Sequence, residues 1–242
     1  MLKIIWFFVY LAWYLLRTSY LARRIDKLDK DETRQEYKEM LGAFVTDFGQ
    51  HICKAGGATV KAEGLENIPD VPVLYVSNHQ GNFDAPCVIA GTGKLFGFVS
   101  KPEVKVIPCI GGWMRRIRCV FMDRKDIRQS LKAINEMGEN IKNGYSMWIF
   151  PEGHRSCGGP MSPFKAGSIK IARKIGCKIV PVVIEGTYKV MEANKSKTLT
   201  PAEVRIKVLE PVDTKDMSKE EFSELHNKLH DIIEENLKMM RG

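Results

Sequence analysis

After Gly56-Gly57, short apolar runs of strand length alternate with longer stretches of helical periodicity, and nothing else in the chain limits its fold as much. Strands are expected at 60–63, 73–77, 95–100, 119–122, 146–150, 178–184 and 204–209, and helices at 84–90, 127–143, 168–175 and 219–240. The stretch 102–118 is mixed, with a break at Gly111-Gly112. This order argues an α/β fold: a mixed, largely parallel sheet covered by helices. At 242 residues the chain suffices for one such domain with an appendage. No internal repeat or low-complexity segment interrupts it.

Local signals place several helix ends. Asp126 with Gln129 three residues on reads as a capping box, and Gly144 as the stop of the same helix. Ser218-Lys219-Glu220-Glu221 reads as a second capping box, opening the last helix.

The appendage is the amino-terminal segment, residues 1–55, ahead of an α/β domain at 56–242. Ile4 to Leu16 reads IIWFFVYLAWYLL, 13 residues without a charge. Continued past Arg17 to Ala22 the run reaches 19 residues, about 28 Å as a helix. A span takes about 20 apolar residues, so a short or tilted span and a partly immersed helix are both consistent. Trp6, Trp13, Tyr10, Tyr14 and Tyr20 suit the interfacial zone, and Arg17 near the end can snorkel. Arg17, Arg23, Arg24 and Lys27 follow the run, which assigns the rest of the chain to the cytoplasmic face. The alternatives are a signal peptide, disfavoured by the side on which the basic cluster lies, and a buried core helix. Beyond it, 31–55 reads as an amphipathic helix with Tyr37, Leu41, Phe44, Phe48 and Ile52 on one stripe, facing a core, lipid or the anchor.

The formal charge of +8 suits an anionic partner such as membrane phosphates. Cys53, Cys87, Cys109, Cys119, Cys157 and Cys177 are scattered without a C-x-x-C, so they read as reduced thiols packed as small apolar residues, not as a disulfide framework or zinc site.

Two stretches carry chemistry. Asn78-His79-Gln80-Gly81-Asn82-Phe83-Asp84 offers a histidine with a carboxylate five residues on. An imidazole ordinarily titrates near pH ~6.5, so it can take a proton from an alcohol at neutral pH. A carboxylate on its other nitrogen would fix the tautomer. The structural alternative is a histidine satisfied by a backbone carbonyl beside an N-capping Asp84. Phe150-Pro151-Glu152-Gly153-His154-Arg155-Ser156 is a tight turn after an apolar strand. Arg155 offers forked donors to a phosphate, and Glu152 suits orienting Arg155, Arg124 or a hydroxyl. The alternative there is a surface ion pair, worth about 0–1 kcal/mol. Arg124, in Phe121-Met122-Asp123-Arg124, is a second guanidinium at a strand end, and Lys101 a third cation. Val180, Pro181 and Val182 lie in an apolar run that would wall an acyl chain, or form an edge or bulged strand.

Other chemistries fit poorly. There is no G-x-S-x-G, no P-loop and no G-x-G-x-x-G. His226 and His230 have ligand spacing on a helix but read as a solvated face, so no metal is expected. Basic residues do not interleave with aromatics as in nucleic-acid-binding sheets, so no nucleic acid is expected.

Taken together and in order, the 78–84 block, the 121–124 block, the 150–156 block with Pro163-Phe164-Lys165-Ala166-Gly167 behind it, and the 180–184 block resemble the 1-acyl-glycerol-3-phosphate acyltransferase family over about 64–187. The resemblance implies a glycerolipid acyltransferase-like fold with an amino-terminal membrane-associating helical segment. It implies His79 as general base, Asp84 as its partner, and Arg124, Glu152, Gly153 and Arg155 at the acceptor's phosphate. The implied reaction moves a fatty acyl group from acyl-CoA or acyl-carrier protein onto lysophosphatidic acid at its sn-2 hydroxyl, giving phosphatidic acid, with no acyl-enzyme and no cofactor. The family's third block usually reads E-G-T-R-S, and His154 stands here for the threonine. Another lysophospholipid or glycerol 3-phosphate as acceptor, and a non-catalytic binder of anionic lipid, are the rival readings. Oligomeric state and acyl-chain length are left open.

Overall fold

The computed structural model describes residues 2–28, 35–107, 110–123, 126–194 and 198–242. In chain order the elements are α1 (Leu2–Arg17), α2 (Ser19–Leu28), α3 (Gln35–Gly56), β1 (Ala58–Glu63), β2 (Leu74–Ser77), α4 (Asp84–Thr92), β3 (Phe96–Ser100), α5 (Ile110–Arg116) and β4 (Val120–Phe121). There follow α6 (Ile127–Lys142), β5 (Ser146–Ile149), α7 (Lys170–Ile175), β6 (Ile179–Glu185), α8 (Thr187–Val190), β7 (Ala202–Val208) and α9 (Lys219–Arg241). All seven expected strands are present, in one sheet of order β1-β7-β6-β2-β5-β3-β4. The pairs β6/β2, β2/β5, β5/β3 and β3/β4 are parallel, and β6/β7 is antiparallel.

Two compact units share the chain. The first comprises Met1–Lys61, Gly81–Leu95 and Gly186–Val204; the second comprises Ala62–Gln80, Phe96–Glu185 and Arg205–Gly242.

In the first unit α3 buries Tyr37, Leu41, Phe44 and Ile52, the expected stripe, while Phe48 is half-buried. The start of that helix as read from sequence, residues 31–34, lies outside the described residues. The continuous 19-residue apolar helix does not form. The chain breaks at Thr18, whose hydroxyl donates to the Tyr14 carbonyl at 2.8 Å, and α2 leaves α1 at 42°. A hydroxyl bonded one turn back competes with the helix ladder and bends it. No single described helix is long and apolar enough to cross a membrane; the bent pair α1 and α2 passes on length and composition together. Tyr14 and Leu15 are buried on one side of α1, and the Tyr14 hydroxyl donates to Asp47 of α3 at 2.5 Å. On the opposite side Leu2, Ile5, Val9, Trp13 and Leu16 recur at three- and four-residue spacing and are 50% to 76% exposed.

In the second unit residues alternate between the sheet's two faces. Leu74, Val76, Met147, Ile149, Ile179 and Val183 form one core with Met137 of α6, Ala172 of α7, and Leu229 and Ile233 of α9. The other face carries an aromatic cluster in which Tyr75, Phe96 and Trp148 lie with ring centroids 4.9 to 5.4 Å apart. β6 lies between β7 and β2 and is not an edge strand. Pro181 stands where the pairing with β7 ends, so the missing N–H removes one terminal ladder bond, and the Pro181 carbonyl still accepts from the Leu209 N–H at 2.9 Å.

Caps form as expected with one exception. Ser218 and Glu221 bond reciprocally ahead of α9. Asp126 Oδ1 accepts from the N–H groups of Arg128 and Gln129, but the Gln129 side chain accepts from Asp123 N at 2.9 Å, so the returning half of that box goes three residues upstream. His226 and His230 are half-buried, not on a solvated face, and His230 stands edge-on to Phe164 at 5.3 Å.

Cys53, Cys87, Cys119 and Cys177 are buried free thiols, Cys157 is exposed, and Cys109 lies outside the described residues. Burial pushes the Cys119 thiol up to about 12 and the Cys177 thiol up to about 11, which keeps both protonated and unreactive.

Candidate active site

In open α/β sheets, reacting groups gather past the carboxyl ends of parallel strands. β2 is buried throughout and ends in Ser77, whose hydroxyl accepts from Trp148 Nε1 at 2.8 Å. Asn78 prolongs the pairing with its side chain: Nδ2 donates to the Ile184 carbonyl and Oδ1 accepts from the Ile184 N–H, both at 2.8 Å. This double bond delivers His79 at a fixed height above the sheet.

His79 is held by its backbone on both sides. Its N–H donates to Glu152 Oε1 at 2.6 Å, and its carbonyl accepts from Ser156 N at 2.8 Å. Its ring is stacked on Phe150 with centroids 4.1 Å apart and planes 20° apart. Phe150 in turn lies parallel to Phe98, at 6.4 Å and 7°. The aromatic face of the sheet therefore continues to the imidazole, which is half-exposed.

Glu152 is fixed on one oxygen by the His79 N–H. It is buried, and its second oxygen accepts from Ser162 N at 2.9 Å. Both carboxylate oxygens hold backbone N–H groups, and Arg155 is not their partner. Burial pushes this carboxyl above its ordinary range, and the Ser162 and His79 N–H groups partly offset that. Replacement by glutamine would turn an NH2 toward one of those two donors. Glu152→Gln is therefore expected to cost about 1–3 kcal/mol of stability, read as a lowered midpoint in urea or thermal unfolding with the slope unchanged. An unaltered midpoint would contradict this bonding.

The turn after β5 needs glycine at 153, where φ is +81° and a side chain would be strained. His154 Nε2 lies 2.9 Å from Ser162 Oγ. Arg155 is exposed, and so is Lys101, directly after β3. The carboxyl ends of β2, β5 and β3 thus present His79, the 150–156 turn and Lys101 on the same edge of the parallel sheet. Arg124 lies outside the described residues. Val180, Pro181 and Val182 do not act as a set. Val180 and Val182 pair with Tyr75 and Ser77 and share their face, while Pro181 alternates to the helix-covered face with Ile179 and Val183. All three are buried.

In the first unit Asp84 opens α4 and is fully buried. It is not an N-cap; that position is Phe83. Asp84 Oδ2 accepts from the Gly81 N–H at 3.1 Å, and Oδ1 accepts from the Thr187 hydroxyl. The same unit contains a cavity of about 590 Å3 lined by Trp6, Phe7, Tyr10, Leu199 and Pro201, with Lys3 and Lys54 among its walls.

Sequence reasoning missed Thr187, that cavity, and a polar tie at the buried Glu185 in the second unit. In that tie Glu185 Oε2 accepts from Gln80 Nε2 at 2.8 Å and from Arg241 Nε at 3.0 Å. A Gln beside the motif histidine was the visible signal for it; its partners lie too far along the chain to be read from spacing. Among the described residues, no group of three or more His, Cys, Asp or Glu side chains converges to hold a metal ion.

The family model described as Acyltransferase matches residues 59–185. The chain is similar to the chloroplastic 1-acyl-sn-glycerol-3-phosphate acyltransferase of Arabidopsis thaliana, 37% identical over 155 residues, covering 63% of this chain and 43% of that protein. It is similar to the 1-acyl-sn-glycerol-3-phosphate acyltransferase of Saccharomyces cerevisiae, 29% identical over 189 residues, covering 75% and 61%. The chain thus spans roughly half the length of several curated relatives it matches, 43% to 52% of three of them. Among solved structures, the crystal structure of the 1-acyl-sn-glycerophosphate acyltransferase PlsC from Thermotoga maritima superposes with a TM-score of 0.86 at 29% identity, covering 100% of this chain and 95% of that one.

Proposed function

Because the chain belongs to the acyltransferase family, we propose that it transfers a fatty acyl group from acyl-CoA or acyl-carrier protein to the sn-2 hydroxyl of 1-acyl-glycerol-3-phosphate, giving phosphatidic acid. The observation that carries this reading is His79, fixed by its backbone at the end of an interior strand with its ring half-exposed beside the 150–156 turn.

His79 is the general base. It takes the sn-2 hydroxyl proton as the oxygen attacks the thioester carbonyl. The tetrahedral intermediate then collapses with expulsion of the thiolate, which takes the proton from the imidazolium. Asp84 is the acid that keeps the imidazole in the required tautomer and stabilises its cation, as the spacing and the resemblance imply. The transfer is direct, without an acyl-enzyme, a metal or a further cofactor. Arg155, Arg124 and Lys101 grip the acceptor's phosphate, Gly153 shapes the turn that presents Arg155, and Glu152 fixes that turn against His79. Holding acceptor and base in one geometry supplies rate by replacing an encounter with a bound arrangement.

The apolar cavity of the first unit, at about 590 Å3, is within the roughly 300–1,000 Å3 typical of ligand sites. It is a better seat for an acyl chain than the strand 180–182. Residues 1–55 serve as the membrane-associating segment, lying at the cytoplasmic face, and 56–242 as the catalytic part. The exposed stripe of α1 supports this placement, since contiguous apolar surface marks an interaction site.

Assay of purified enzyme with both thioesters against lysophosphatidic acid, other lysophospholipids and glycerol 3-phosphate tests the acceptor; equal rates on a phosphate-free lysolipid would defeat the phosphate grip. Arg155→Ala is expected to raise the acceptor KM about 10- to 100-fold, since a bond to a charged partner is worth about 1.5–3 kcal/mol. The donor KM should stay within about twofold. Parallel rises in both would remove Arg155 from the phosphate.

A further inference from the structure

We infer that Thr187 is a positioning residue for the acyl transfer, holding the Asp84 carboxylate in the one orientation in which it can serve the base. This rests on the reading of Asp84 given above and adds a residue that the motifs do not contain.

The two side chains come from stretches 103 residues apart, yet both are fully buried and the Thr187 hydroxyl donates to Asp84 Oδ1. The other oxygen, Oδ2, accepts from Gly81 N at 3.1 Å. A carboxylate held at each oxygen by a separate donor cannot rotate about its Cβ–Cγ bond without breaking one of them. Buried, it would have no water to replace the lost bond.

The backbone brings Thr187 there for a specific reason. Gly186 ends β6 and adopts φ +97°, ψ −9°, a left-handed conformation that turns the chain abruptly into α8. A Cβ at 186 would come 2.3 Å from the Glu203 carbonyl oxygen, so only glycine makes this turn. The turn places Thr187 in the buried interior of the first unit instead of continuing the strand. Threonine suits the position because it supplies a hydroxyl donor on a side chain with restricted χ1 freedom.

The geometry has a kinetic consequence. Thr187 is assigned no contact with substrate in this scheme, so its loss should slow chemistry and leave binding alone. Thr187→Val, which keeps the shape and removes the donor, is expected to lower kcat about 10- to 100-fold with both KM values within about twofold. Thr187→Ser, which restores the donor, should recover most of that loss. In an Asp84→Asn background the same Thr187→Val change should cost less than about twofold, because the two act as one unit. Thr187→Ala is measured in parallel, so that a folding defect peculiar to valine against a carboxylate does not decide the matter.

The readout is steady-state acyl transfer by the full chain, with thermal unfolding alongside. If Asp84→Asn loses most of its kcat but keeps a measurable rate, while both Thr187→Val and Thr187→Ala keep kcat within about twofold of wild type, the inference is overturned and the reading of Asp84 stands. Equal losses in the two backgrounds, or a loss that serine does not recover, assign Thr187 a structural role and overturn it as well. Full activity of Asp84→Asn defeats the reading of Asp84 and this inference with it, while an inert wild type defeats the proposed function as a whole.

Discussion

His79→Ala is expected to lower kcat for acyl transfer by about 10³-fold or more, with little change in either KM and a folded protein. The reason lies in how the residue is held. Two of the bonds that hold it are made by the backbone, from N–H to Glu152 and from Ser156 to its carbonyl, and alanine keeps both. The stack of its ring on Phe150 is worth about 0.5–1.5 kcal/mol. A proton-transfer group alone is worth about 10²–10⁴ in rate. Loss of rate should therefore exceed loss of stability by a wide margin. The measurement is turnover of lysophosphatidic acid with acyl-CoA and with acyl-carrier protein, together with vesicle binding and an unfolding curve. Unchanged turnover in the variant removes the general-base reading; binding without turnover in the wild type leaves the non-catalytic lipid binder.

The second large effect concerns α1. Ile5→Asp, Val9→Asp and Leu16→Asp together are expected to reduce partitioning onto anionic vesicles by about 10³-fold, while the fold survives. Those three side chains are 58%, 53% and 67% exposed and so contribute little to the first unit. Inserting each into an acyl environment is worth at least about 1.5 kcal/mol, and an aspartate there is opposed further by anionic headgroups. The side facing α3, with Tyr14 bonded to Asp47, is untouched by the changes. Co-sedimentation with vesicles of phosphatidylglycerol and phosphatidylcholine measures the loss. Partitioning equal to wild type would mean that the exposed stripe of α1 is not the membrane contact.

Most of the architecture was legible because its signals are local. Strand 73–77 and helix 219–240 were read within a residue of β2 and α9, from an unbroken apolar run in one case and a capping box in the other. Where an expectation failed, a competing local bond or a distant strand had decided. Thr18 bonded back to Tyr14 and broke the apolar helix. Gln129 had two possible acceptor tasks within six residues and took Asp123. Pro181 suggested an edge strand, but it lies inside the sheet at the end of the β7 pairing, where its carbonyl accepts from Leu209 and one reciprocal bond is forgone.

The site was legible as a set of residues and not as a set of bonds. His79, Asp84 and the 150–156 turn carry their chemical type in the sequence, and the strand before each turn marks where it stands on the sheet. The carboxylate of Glu152 looked like a partner for a guanidinium. Its actual partners are the N–H groups of His79, 73 residues away, and of Ser162.

From the amino acids alone came the alternation of strands and helices, the apolar amino-terminal helix, and the candidates for the base and for the phosphate-binding residues. Each of these is set by periodicity or chemistry within a few neighbours, which is the range over which side chains constrain the backbone directly. Only the tertiary structure decided which buried polar atom meets which, as in Thr187 on Asp84 and Gln80 with Arg241 on Glu185. Those pairings depend on strand order and on the register of packed elements. A buried polar group must find a partner, and the partner it finds is whichever one the completed fold sets beside it.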